Sequence, residues 1–269
     1  MYATRTMRKR LDALIRSSDR SPDRSPGRTV SCVREPKPIR YGRSLPRIRK
    51  QAAVSAQAPG KLTELVPGEE VTAPNGGVAL LVRDRYPLPL EPGPPVVEGT
   101  LFFDIEATGL TALPLFLIGV MDRRDDELET RLYLARDYSE EAAVVSFFTR
   151  EAAAATHLVS FNGKSYDLPF IQTRSAYHLQ GWVKPDSLPH TDLLHVSRRI
   201  WGKGLPNCRL GTLEKMVLGR PRSGDIPGAE IPEAYHTFVR TGDATDLARI
   251  MEHNRLDLVS LAHLLVLSG

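Results

Sequence analysis

The sequence predicts an α/β fold in which helices flank a mixed sheet, entered through a small β-hairpin and preceded by a disordered basic tail. Three observations carry that expectation. Apolar strand-like runs follow one another at 99–106, 115–122 and 128–135. From 139 the pattern alternates between helix and strand, with a buried strand at 157–161. Finally, Leu247, Ile250, Met251, Val259, Leu261 and Leu264 recur at helical spacing through a long closing segment, 243–267.

The elements follow in order. Residues 1–58 read as disordered, because the Ser-Pro-Asp-Arg-Ser-Pro-Gly-Arg run (21–28) buries too little apolar area to offset its ordering entropy. This tail also holds the basic excess. Residues 1–50 carry 15 Lys and Arg against 4 Asp and Glu, leaving 21 basic and 28 acidic residues for the rest. Residues 59–97 form an extension. In it a turn at 65–68, strands at 70–72 and 78–82 about Asn75, Gly76 and Gly77, and a stiff proline-rich connector at 88–95 make a hairpin packed against the main domain. The main domain spans 98–269. Its helices are expected at 139–155, opened by Ser139, then at about 166–180, 192–201, 210–218, 231–241 and 243–267.

Composition excludes some classes. No stretch approaches the roughly 20 apolar residues of a membrane span, and the N-terminus has no apolar secretory core. Cys32 and Cys208 make no C-x-x-C pair, which fits a reducing cytoplasm and argues against a disulfide framework.

Four carboxylates in three segments hold the chemistry. Asp104 and Glu106 stand two apart at the end of the apolar run Leu-Phe-Phe-Asp-Ile-Glu-Ala-Thr-Gly-Leu (101–110), so they project from one face. Two such carboxylates repel and are costly to desolvate unless a cation neutralises them. Hard, oxygen-ligated Mg²⁺ or Mn²⁺ suits them, and paired ions of this kind drive phosphodiester cleavage. Asp167 ends Val-Ser-Phe-Asn-Gly-Lys-Ser-Tyr-Asp (159–167), and Asp257 ends His-Asn-Arg-Leu-Asp (253–257). On the residues alone, Asp167 reads equally as a first-turn helix acid, and His253 with Asp257 as an i,i+4 pair on one helix face.

These segments, together with 190–201, 210–219 and 225–232, resemble the three motifs of the DEDD (DnaQ-like) superfamily of 3′–5′ exonucleases, nearest its YprB-like branch, over roughly residues 98–269. D-x-E alone is weak; D-x-E-x-T-G, N-x-x-x-x-D and H-x-x-x-D in this order are specific. The resemblance implies a ribonuclease H-like fold with a five-stranded mixed sheet. It also implies two Mg²⁺ or Mn²⁺ ions held by Asp104, Glu106, Asp167 and Asp257, and release of nucleoside 5′-monophosphates. Thr108, Gly109, Asn162, Lys164 and Tyr166 become candidates for substrate contact. His190 and Asp192 would stand behind the ligands and steady them, with a purely structural role as the plain alternative.

The sequence departs from the family at the base. One branch has Tyr four residues before the last Asp and the other has His five before; here His253 stands in the Tyr register and Glu252 in the His register. His253 suits proton transfer near neutrality and is the preferred base. The implied partner is DNA or RNA, as single-stranded 3′ ends, with a helicase as a conceivable protein partner and no membrane. Two rivals stay open: a structure-specific endonuclease on the same fold, and a non-catalytic nucleic-acid-binding module.

Overall fold

The computed structural model describes residues 60–89, 96–110, 113–178 and 187–269. The tail expected at 1–58 and most of the connector at 88–95 lie outside them. A single helical turn, α1 (Leu62–Leu65), ends where the sequence suggested a turn at 65–68. Residues 73–77 then reverse the chain between β1 (Glu69–Thr72) and β2 (Val78–Pro87). Next, β3 (Thr100–Ala107), β4 (Leu115–Arg124) and β5 (Glu127–Leu134) form an antiparallel meander. β6 (His157–Ser160) and β7 (His190–Asp192) add in parallel on the far side of β3.

The result is one sheet of order β1-β2-β5-β4-β3-β6-β7. This corrects the expected hairpin in one respect. It does not merely pack on a five-stranded sheet; it extends that sheet to seven strands. β2 is ten residues long and pairs with β5 along its length, from Leu80 opposite Leu134 to Pro87 opposite Glu127. The reason is the edge of β5, whose open N–H and C=O groups β2 satisfies.

The helices are α2 (Glu141–Ala154), α3 (Asp167–Tyr177), α4 (Leu193–Ile200), α5 (Leu210–Met216), α6 (Ile231–Thr241) and α7 (Thr245–Ser268). α2 starts two residues later than expected, after a 3₁₀ turn in which Asp137 accepts the Ser139 N–H at 2.8 Å. None of the described helices is long and apolar enough to cross a membrane.

β3 lies inside the sheet between β4 and β6 and is buried on both faces, as its Leu-Phe-Phe run requires. On one face Phe103 meets Phe148 of α2, with ring centroids 5.3 Å apart, and Tyr133 of β5 stacks on Phe147 at 4.4 Å. On the opposite face α7 crosses the sheet, bringing Asn254 to Asp104. Gly119 in β4 permits that approach. A Cβ there would lie 1.8 Å from the Asn254 Oδ1, so any side chain at 119 would displace the Asn254 amide from its place beside Asp104. Pleat alternation therefore sends Phe103 into the core and Asp104 towards α7.

Candidate active site

Asp104 and Glu106 come from the last turn of pleat in β3, where the register with β4 shifts between Glu106 and Ala107. Such an irregularity ends the pairing and leaves the carboxylates at the sheet's end. Asp167 opens α3, and Asp257 lies midway along α7. Asp167 is 4% exposed, while the other three keep a partial opening to solvent. All four feel one another. Burial, then Asp257, Asp167 and Glu106, push the Asp104 carboxyl well above its ordinary range. Burial lifts Glu106 to about 8, with Asp257 and Asp167 adding to it against the opposing pull of His253. Asp167 rises to about 7, again through burial first. Asp257 is raised by burial, with Arg222 and His253 working against that.

The carboxylates turn to donors within the protein. Asn254 Nδ2 donates to Asp104 Oδ2 at 2.8 Å, and the Arg222 guanidinium contacts Asp257. Among the described residues, no three His, Cys, Asp or Glu side chains already converge as a metal-holding group.

His253 lies on the same side of α7 as Asp257. Its Nδ1 is 2.8 Å from Asp225 Oδ1, and its Nε2 is 3.8 Å from Asp257 Oδ2. Burial alone would lower its pKa, but the bond to Asp225 and the charges of Asp257 and Glu106 outweigh it and raise His253 to about 9. Glu252 is paired instead with Arg255.

The loop before Asp167 is built by Asp192. Its buried carboxylate accepts the N–H of Asn162 at 2.8 Å, of Lys164 at 3.2 Å and of Leu194 at 3.0 Å. It thus caps α4 and fixes the path to α3, acting on Asp167 only through its charge. Asn162 takes a left-handed φ of 65°, and Gly163 packs where a Cβ would lie 2.3 Å from Ser160 Oγ. His190 bonds Ser160 Oγ at 2.8 Å, and burial depresses it to about 4. It therefore steadies β6 through Ser160.

The substrate candidates divide. Asn162 and Lys164 expose their side chains beside the cleft. The Tyr166 hydroxyl reaches the Gly109 carbonyl at 3.4 Å, closing one wall. Thr108 is buried and its hydroxyl donates to Pro114 at 3.0 Å, so it fastens the turn after β3.

Three residues escaped the sequence reading: Asn254, Arg222 and Asp225. Asn254 is fully buried and three residues before Asp257, a pattern that marks an inward-facing amide. Asp225 lies in a segment, 225–232, that the sequence already singled out without assigning it a role.

Comparison with known proteins places this geometry. A family model described as RNase H superfamily matches residues 101–268. The YprB protein of Bacillus subtilis is 33% identical over 168 residues, covering 61% of this chain and 40% of that protein. The MJ0365 protein of Methanocaldococcus jannaschii is 26% identical over 159 residues, covering 58% of this chain and 86% of its own length. Among solved structures, the family B DNA polymerase of Pyrobaculum calidifontis superposes with a TM-score of 0.50 at 15% identity. That match covers 70% of this chain and 28% of the polymerase, and it is a likeness of fold.

Proposed function

The chain belongs to the RNase H superfamily, and from that premise we propose a metal-dependent 3′–5′ exonuclease that releases nucleoside 5′-monophosphates. One observation supports the reading: Asp104, Glu106, Asp167 and Asp257, from three distant segments, lie near enough for their charges to act on one another, Asp257 and Asp167 raising both Asp104 and Glu106. Arg222 and His253 act against these shifts, and Arg222 is itself shared with Glu214 and Asp225.

The donor set fits Mg²⁺ or Mn²⁺, since every donor is a hard carboxylate oxygen. Asp104, Glu106 and Asp257 are the residues to hold one ion, and Asp104 with Asp167 a second. Bound there, the ions supply a more acidic water and neutralise the charge of the phosphodiester. The chain's own residues do the rest. Asn254 fixes the Asp104 carboxylate. Tyr166, Asn162 and Lys164 border the path of the strand, with Gly109 held beside Tyr166 through its carbonyl. His253 accepts the proton of the attacking water at Nε2, its Nδ1 being held by Asp225. With the carboxylates uncompensated, His253 stays protonated near neutrality; compensating their charge frees its nitrogen for that task.

The test is end-labelled DNA and RNA oligonucleotides incubated with Mn²⁺, the products resolved by length. A ladder shortening from the 3′ end, stopped by a 3′ block, is expected. Cutting of the blocked strand would establish the endonuclease, and binding without cleavage the non-catalytic module.

A further inference from the structure

Arg222 follows α5 in the segment leading to α6, and only 13% of its side chain is exposed. Its Nη2 contacts Asp257 Oδ1 and donates to Glu214 Oε1 at 2.5 Å. Its Nη1 donates to Asp225 Oδ2 at 3.2 Å and to the His253 carbonyl at 3.4 Å. The two carboxylates on Nη2 have different standing. Glu214 is 2% exposed, sits on α5, and accepts the Ser260 hydroxyl at 2.6 Å. It belongs to none of the three acidic motifs. Asp257 is a proposed ligand. The guanidinium is thus anchored outside the ligand set and satisfies a carboxylate inside it.

We infer that Arg222 is a built-in counter-cation for Asp257, which a divalent ion must displace in order to bind. The inference rests on reading the carboxylates as metal ligands. A guanidinium cannot discharge itself at any ordinary pH, so a divalent ion must compete with a permanent cation for Asp257. Neutralising one carboxylate also limits the repulsion the fold bears when no ion is bound. Once displaced, the guanidinium keeps Glu214 and Asp225. A cavity of about 480 Å³, lined by Gly211, Glu214, Lys215, Arg222 and His253, gives it room to pivot.

Binding of Mn²⁺, followed by the electron paramagnetic resonance of the free ion, tests this without any activity measurement. Arg222→Gln alone strands Glu214 in the interior, so the decisive protein is the double variant Arg222→Gln/Glu214→Gln. It removes both charges and leaves the local net charge unchanged. It is expected to bind Mn²⁺ roughly ten- to a hundredfold more tightly than wild type, the scale of one lost charge-assisted bond. Arg249 is the control, since its guanidinium touches Asp246 and the Gly224 and Asp225 carbonyls but not Asp257. Arg249→Gln should stay within about twofold of wild type, as for an exposed pair. Equal or weaker binding by the double variant, alongside wild-type binding that Asp104→Asn removes, overturns the counter-cation and leaves the metal reading standing. The same gain in Arg249→Gln also overturns it, by showing a bulk charge effect. Binding of Mn²⁺ by neither wild type nor the double variant overturns both.

Discussion

Glu141 and Glu106 are both glutamates withdrawn from bulk water against the same sheet, and they meet opposite surroundings. Glu141, 2% exposed at the start of α2, accepts Arg174 Nε at 2.6 Å and Nη2 at 2.5 Å. It also accepts the Leu115 N–H at 2.8 Å and lies 2.9 Å from His178 Nε2. Every lone pair has a donor, and a guanidinium balances the charge. Glu106 sits instead among three more carboxylates and is pushed up to about 8. A buried carboxylate that serves the fold brings its own cation. One that serves chemistry is left short of charge, to be completed from outside.

The largest expected effects lie on the site side of that contrast. Asp104→Asn and Asp257→Asn should each lower hydrolysis by more than roughly a hundredfold while the far-ultraviolet circular dichroism stays native. Near-wild-type turnover in either purified protein would break the site assignment. His253→Ala should cost roughly two to four orders of magnitude in turnover, the usual scale for a lost general base. Its Mn²⁺ affinity should change far less than that of Asp257→Asn. If both variants lost the ion equally, His253 would belong with the ligands; if the rate held, Glu252 or solvent would take the proton.

Stability should show the reverse order. Arg174→Met leaves the buried Glu141 with the weaker company of His178 and a backbone N–H, and should cost about 3–5 kcal/mol in urea unfolding. Arg174→Met/Glu141→Gln should recover part of that loss. Asp104→Asn without divalent ions should be no less stable than wild type, because it removes a carboxylate repelled by three others and can keep the Asn254 bond. A large loss in Asp104→Asn, or none in Arg174→Met, would erase the distinction between the two clusters.

The two regions also differed in how far the sequence disclosed them. Asp104, Glu106, Asp167, His253 and Asp257 were legible because their spacing obeys strand and helix periods and their order matches a known motif set. The meander and the helices were legible for the same local reason. Pairing of β2 with β5 was not, because the choice of edge partner is made across 40 residues or more of chain. Arg222 reaches Asp257 over 35 residues through an irregular segment with no periodicity to read. Glu141 and Arg174 drew no reading from the sequence, because they are 33 residues apart on two helices and meet only in the packed fold.

The smallest expected effect concerns His157, a buried histidine far simpler than His253. It is 3% exposed, its Nε2 lies 2.9 Å from Thr191 Oγ1, and burial depresses it to about 4. Below its ordinary pKa of about 6.5 the unfolded chain takes up a proton that the folded protein refuses. Its contribution to stability is therefore intact above that value and is lost as pH falls from 6.5 towards 4. The site carboxylates act in the opposite sense, since their raised pKa values favour the folded state at low pH. The His157 effect is thus read as a difference. Urea unfolding of wild type and His157→Gln at pH 7.5 and pH 5 should show the wild type losing about 1–2 kcal/mol more than the variant on acidification, on the scale of 1.36 kcal/mol per pKa unit. Parallel losses in the two proteins would mean that His157 titrates normally in the folded state.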